Sequence, residues 1–381
     1  MKKDNIPSFI YMFSYSIYLI FTMLYYSFYG IYINSYYKYI LVFCVLLLIL
    51  KEILSKNIKI KDLFFLILCL ALTYILFLHL NGMSMFPLFF FIYGSRNIEF
   101  RKIVKLTIYL MSSMLLFIVI SSFLGFIPDY VSYNNGRRRH FLGFRYALVP
   151  SVYAFNLTAL ILYLKKDLSF FKIFIIVLIN YLFFYYTGSR LSFALSLLLI
   201  IFSRYKIKSK IILKLFVLSF PVCCVFSLVM IFNFNPNDSK MFKLNEKLGY
   251  RLSLGQQSLN EYSINLFGND TEFIGNGVDL YGNKSNKTYN YVDCLYLNIL
   301  EKYGIIFTIL FVIMFFYESI YLYKKGDYYL LLVLFILGIR GMIDDLGIYL
   351  NFNTFLLLFG YQFNSIKSLN LRKDEKKDVK I

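Results

Sequence analysis

The sequence predicts an all-α polytopic membrane protein, with about twelve transmembrane helices and one large extracytoplasmic loop. Three observations predict it. The 381 residues are 59% hydrophobic and only 16% charged, whereas a soluble domain is roughly half apolar and about a quarter charged. Apolar runs of about 18 to 23 residues recur from end to end, long enough to cross a hydrocarbon core about 30 Å thick. The basic residues collect in alternate short loops, as the positive-inside rule expects. The runs are continuously apolar and do not alternate, which argues against a β-barrel.

The spans fall at 9–29, 37–54, 63–80, 83–95, 104–126, 147–164, 170–187, 190–203, 211–233, 303–323, 328–343 and 348–366, the fourth and eighth being short. With the N-terminus inside, the inner segments begin with Lys2, Lys3, Lys51, Lys56, Lys59 and Lys61. Arg96, Arg101, Lys102 and Lys105 follow, then Lys165, Lys166 and Lys172, then Arg204, Lys206, Lys208, Lys210 and Lys214. Lys324, Lys325 and the six basic residues from Lys367 to Lys380 complete a set of 26 of the chain's 40 Lys and Arg residues. Both termini are therefore expected inside. Residues 1–366 form one polytopic domain, and 367–381 form a charged cytoplasmic tail. The long loop at about 234–302 is the only hydrophilic segment large enough for further structure. Within it Leu244, Leu248 and Leu252 share a helical face, as do Val292, Leu295 and Ile299. Both pieces suit amphipathic helices at the membrane surface.

A formal charge of +19 raises the question of nucleic acid. Its spread through many short loops between apolar spans is instead membrane topology, so no nucleic-acid partner is expected. The apolar stretch after Ile6 is too long for a signal-peptide core and lacks a cleavage site. Cys44, Cys69, Cys223 and Cys224 fall inside spans and Cys294 stands alone outside, so neither a disulfide framework nor metal spacing is present.

Seven arginines break the charge bias. Arg137, Arg138, Arg139 and Arg145 lie in a loop that the bias puts outside. Arg190 and Arg340 lie at outer helix ends, and Arg251 in the long outer loop. Guanidinium forks suit phosphate oxygens, so the set is expected to bind an anion at the outer surface. A solvated basic loop, and an Arg190 that snorkels to the interface, are the plain alternatives. Gly188 permits the tight reversal before Arg190. His140 is a candidate donor or base, and Asp293 a candidate base or helix-start residue. No metal or other cofactor is expected.

The order of the short motifs resembles the Wzy-type polysaccharide polymerases and, more distantly, the O-antigen ligases. Gly188-Ser189-Arg190 is similar to the element that opens a span in that superfamily. Arg251 stands where an arginine begins the large loop, and Leu266-Phe267-Gly268 with Gly275-Asn276-Gly277 matches the following turn. Asp293, Tyr296, Leu297, Leu300 and Gly304 match a "D-N-x-Y-L-x-x-L-x-x-x-G" element, with Cys294 in place of the common Asn. Arg139 to Phe144 resembles "R-x-x-G-F". Asp293 replaces the histidine expected in the ligase branch.

The resemblance implies a fold like that of the C-type glycosyltransferases and a metal-independent polymerase. Its substrate would be an undecaprenyl-pyrophosphate-linked oligosaccharide, at the outer face of the bacterial cytoplasmic membrane. It implies Asp293, His140 and Arg251 as catalytic residues. Arg137, Arg138, Arg139, Arg145, Arg190, Arg340 and Tyr296 would bind substrate. Membrane lipid, a flippase and a chain-length regulator are the implied partners. A ligase of the same superfamily, a lipid-linked oligosaccharide flippase and a non-catalytic export subunit are the rival readings. A transporter keeps ionisable residues near the bilayer midplane. Here His79, Arg190, Arg340, Asp344 and Asp345 lie toward outer ends, and Glu318 toward an inner one, which favours chemistry at one face.

Overall fold

The computed structural model describes residues 6–55, 59–78, 85–134, 137–165, 168–205 and 209–363. The charged tail, His79 and the inner lysines 2, 3, 56, 166, 206 and 208 lie outside them. Apolar sequence becomes helix almost throughout. The chain runs α1 (Ile6–Tyr26), α2 (Gly30–Leu54), α3 (Ile60–Phe77), α4 (Leu88–Gly94) and α5 (Phe100–Phe123). A small hairpin follows, β1 (Val131–Asn134) and β2 (Arg137–His140). Then come α6 (Val149–Leu164), α7 (Phe170–Thr187), α8 (Arg190–Arg204), α9 (Lys210–Val217) and α10 (Ser219–Phe232). The long polar segment holds α11 (Ser239–Lys247) and α12 (Arg251–Glu261). The chain closes with α13 (Leu295–Lys325), α14 (Tyr328–Gly341) and the short apolar helix Thr354–Phe363.

Five helices, α1, α3, α5, α7 and α13, are long and apolar enough to cross a membrane. The pair α9 and α10, bent by 61°, makes a sixth if it is one span. Thus the protein is a helical membrane protein, while several of the twelve expected spans are shorter than a full crossing: α6, α14 and the Thr354–Phe363 helix are 10–17 residues long, and α4 has only seven. The α9–α10 bend has a local cause. Pro221 lacks an N–H and its ring crowds the carbonyl four residues earlier, so the helix breaks at Leu218.

The outward faces are apolar. On α7 only Ile176, Asn180 and Thr187 are buried, while Phe170, Phe174 and Tyr185 are exposed. A continuous apolar exterior exceeds what a water-soluble surface carries and suits lipid. Between helices, polar side chains find one another. Asn180 donates to Thr158 at 2.8 Å, Asn156 to Thr354 at 3.0 Å, and Ser151 pairs with Thr187 at 2.8 Å. Such bonds are favoured where no water competes.

The helix ends separate into two sets. At one end, Lys51 donates to the Gly94 carbonyl at 3.0 Å, and Arg96 reaches Glu52 at 2.6 Å. Arg204 reaches Leu168 O and Lys61 reaches Phe363 O. This is the end where the sequence concentrates Lys and Arg. At the other end, Phe28 N donates to Gly143 O at 2.9 Å and Arg145 N to Tyr26 O at 3.1 Å. Val278 N then donates to Arg145 O at 2.9 Å. The α1–α2 turn, the hairpin segment and the long polar segment are thereby stitched together.

Two local expectations change. Arg137–His140, read as loop, forms the second strand of an antiparallel hairpin in which Val131 pairs with His140 and Ser132 with Arg139. The Leu244–Leu252 stripe does not form one helix. Gly249 and Tyr250 both have positive φ and break it, leaving Leu244 exposed and Leu252 buried. Cys294 lies ahead of α13, outside the spans as expected, and is buried against the protein.

Candidate functional site

Arg251 begins α12, and its placement is built from backbone upward. Asn245, itself buried, accepts from the Leu252 and Ser253 amides at 3.0 and 3.2 Å. These are free donors of the helix's first turn, so Asn245 caps α12 from α11. Tyr250 takes φ 66° at the N-cap position, a conformation rare for a bulky residue. The guanidinium is then gripped by the protein. Nε donates to Ile343 O at 3.1 Å and Nη1 to Leu248 O at 2.7 Å. Nη2 lies 2.9 Å from Asp293 Oδ2. The contact with Ile343 ties the long polar segment to the chain beyond α14.

Asp293 sits just before α13, whose N-cap is Cys294. Its carboxylate does not cap the helix. It pairs with Arg251 and accepts from Tyr289. Burial raises its pKa to about 6 against the opposing pull of Arg251, and Asp344 nearby raises it further. Asp345 adds a second perturbed acid: Tyr291 donates to it at 2.6 Å, and burial raises it to about 7. Arg340, fully buried, pairs with Asp344 at 3.1 Å and lies over the Phe155 ring. Asp293, Asp344 and Asp345 are thus one electrostatic neighbourhood, with Arg251, Arg340 and Lys302 as its cations.

The hairpin forms a second group at the same end. Gly188, which ends α7, lies against Arg139, whose Nε would be 3.3 Å from a Cβ there. Arg139 Nε is buried without a hydrogen-bond partner among the described residues. Arg190 heads α8 and is exposed. His140 Nδ1 lies 2.5 Å from Asp129 Oδ2, and the ring meets Tyr186 edge-on. Arg145 is committed elsewhere: it donates to Tyr25 O at 2.8 Å and stacks over the Tyr25 ring.

The expected site residues therefore divide. Arg251, Asp293 and Arg340 come together around the head of α13 and the end of α14. Arg137, Arg138, Arg139, His140 and Arg190 gather around the hairpin and the α7–α8 turn. Tyr296 belongs to neither. It is fully buried, donates to Gly338 O at 2.8 Å and packs against Phe220. Its hydroxyl braces α13 on α14 and is not turned to a ligand-facing surface, unlike the substrate-binding role that the resemblance implies. Three residues escaped sequence reading: Asp129, Tyr289 and Asn245. Asp129 and Asn245 act on residues at least seven positions away, beyond any short motif, and Tyr289 acts on Asp293 four positions on in irregular chain that marks no shared face.

The glycine motifs also converge. In α13, Gly304 has φ 83° and ψ 179°, which breaks the helix. The Ile305 and Ile306 amides freed by the break donate to Asn265 O and Leu266 O at 3.0 and 3.2 Å. Gly268 packs against the Lys302 carbonyl. The Leu266–Gly268 turn and the α13 glycine are one interlocked junction. Among the described residues no cluster of three or more His, Cys, Asp or Glu could hold a metal ion. Comparison with family models, curated proteins and solved structures gives no match to this chain.

Proposed function

We propose that the protein polymerises undecaprenyl-pyrophosphate-linked oligosaccharide repeat units into a surface polysaccharide, at the outer face of the bacterial cytoplasmic membrane. One observation carries the reading. All seven arginines that defy the charge bias lie at the end of the helical body opposite the one that holds Lys51, Arg96 and Arg204. Asp293 and His140 lie at that same end. The ordered resemblance to the polymerases supports it.

In this reaction a sugar hydroxyl on one lipid carrier attacks the anomeric carbon of the chain on another. The anomeric bond to phosphate breaks and the pyrophosphate leaves with the electron pair. Two demands follow. Charge growing on the leaving group needs fixed cations, which arginines supply without a metal. The hydroxyl proton needs a positioned acceptor, and Asp293 and His140 are the two groups set for it. Arg251 is held on three sides, so its charge is preorganised and costs little reorganisation during reaction. Arg190 and the hairpin arginines supply the accessible forks for the pyrophosphate.

Lysine keeps the charge but loses the planar, two-pronged geometry. Arg251→Lys and Arg190→Lys are expected to cut polymer by roughly 10²-fold, the cost of losing one transition-state donor, with protein level near normal. Gel analysis of surface polysaccharide from cells carrying each variant checks this. Normal polymer length and amount in both variants would defeat the reading.

A further inference from the structure

We propose that Asp129 is a positioning residue for His140, and that the imidazole so held takes the proton from the attacking sugar hydroxyl. The inference rests on the glycosyl-transfer reading and goes beyond it, because it chooses between the two proton acceptors and adds a residue.

The geometry is specific. Asp129 lies in the segment between α5 and β1. Its Oδ1 accepts from the Leu142 amide at 2.8 Å, which fixes the carboxylate, and its Oδ2 meets His140 Nδ1 at 2.5 Å. A carboxylate only accepts, so Nδ1 carries the proton, and in the neutral ring Nε2 then presents its lone pair. Nε2 has no partner among the described residues. The edge of Tyr186, with ring centroids 5.7 Å apart, blocks rotation of the imidazole. The hairpin register locks the strand itself, since the Phe141 amide donates to Tyr130 O at 2.9 Å. Along β2, Arg138 stands two residues before His140 on the same strand face, about 7 Å away at the usual rise. A phosphoryl group on that arginine would put its sugar carbon within reach of an acceptor hydroxyl at Nε2.

Asp293 is differently placed. One of its oxygens is already bound to Arg251 and it accepts from Tyr289 as well. Its work is to hold the guanidinium. The step balances as follows. The hydroxyl oxygen bonds to the anomeric carbon, and the bond from that carbon to the phosphate oxygen breaks. The leaving pyrophosphate keeps the electron pair, and the hydroxyl proton passes to Nε2. Asp129 steadies the resulting imidazolium, which later releases the proton to water.

Two measurements on the purified full-length protein test the proposal. With lipid-linked oligosaccharide as substrate, Asp129→Asn should lower kcat by about 10²- to 10⁴-fold, the usual worth of general acid–base catalysis. KM should hardly move, and Asp129→Glu should recover part of the loss. Asp293→Asn, which only loosens Arg251, should cost kcat less than Asp129→Asn does. A normal kcat in Asp129→Asn would overturn the proposal. The second measurement needs no polymerisation. The chain has two histidines, so mass spectrometry can follow His140 alone as diethyl pyrocarbonate modifies it. His140 should react readily at neutral pH, and several-fold more slowly in Asp129→Asn. An unreactive His140, or equal rates, would overturn the proposal whatever the polymer assay gives. The expected modification pattern in a wild-type protein that makes no polymer would instead overturn the glycosyl-transfer reading and leave the pairing in place.

Discussion

At the scale of single residues, Asp293 shows how structure separates readings that sequence leaves level. An aspartate just ahead of a helix is ordinarily a cap. Here the cap position belongs to Cys294, and the carboxylate is turned to Arg251. The arginines themselves were legible because they violate a charge rule. The residues that hold the site together were not: Asp129 and Asn245 act on His140 and on the head of α12 only once separate turns meet. The buried acids also give a stability signature. Burial holds Asp345 at about 7 and Asp293 at about 6 in the fold, against about 3.9 when unfolded. A raised carboxyl pKa means that the fold prefers the protonated acid. That contribution is full below about pH 4 and disappears as pH rises through 6 to 7. The melting temperature in detergent should therefore drift down between pH 5 and 8, and Asp345→Asn should flatten the drift. Parallel pH profiles for the two proteins would contradict the assignment.

At the scale of elements, long apolar runs announced α1, α3, α5, α7 and α13 because lipid-facing helices are apolar nearly all round. The hairpin was hidden by its composition: Arg-Arg-Arg-His has no alternation to mark a strand. The break at Gly304 falls where the sequence already separates the Val292–Ile299 stripe from the span at 303–323, but its contacts were hidden. Its cause is now plain. A Cβ on Gly304 would lie 2.4 Å from both Gly268 N and Leu266 O, at a φ that L residues rarely adopt. Gly304→Ala should open the junction that satisfies the Ile305 and Ile306 amides. The loss should exceed 1 kcal/mol, about the least that a buried unpaired amide costs. A lower detergent melting temperature, with the polymer lost in proportion to folded protein, is the expected result. Full stability would mean that the long polar segment does not depend on this contact.

At the scale of the whole molecule, two ends with different chemistry emerge from a nearly uniform apolar body. Among the described residues, one end gathers short-loop cations such as Lys51, Arg96 and Arg204, and the other carries the hairpin, the long polar segment and the perturbed acids. The positive-inside rule turns that asymmetry into an expected membrane orientation. Since the five native cysteines are buried, cysteines introduced at Lys59 and Ser285 should label selectively. Lys59→Cys should react only from the cytoplasm and Ser285→Cys only from outside. A Ser285→Cys that reacts only from the cytoplasm would remove the outer-face site. The most direct test is catalytic. Purified protein in liposomes should be given undecaprenyl-pyrophosphate-linked oligosaccharide as its only sugar substrate, and both products counted. A ladder of polymer, with one undecaprenyl pyrophosphate released per linkage and both lost in Arg251→Lys, is the expected result. Unchanged substrate in the presence of folded wild-type protein would contradict it.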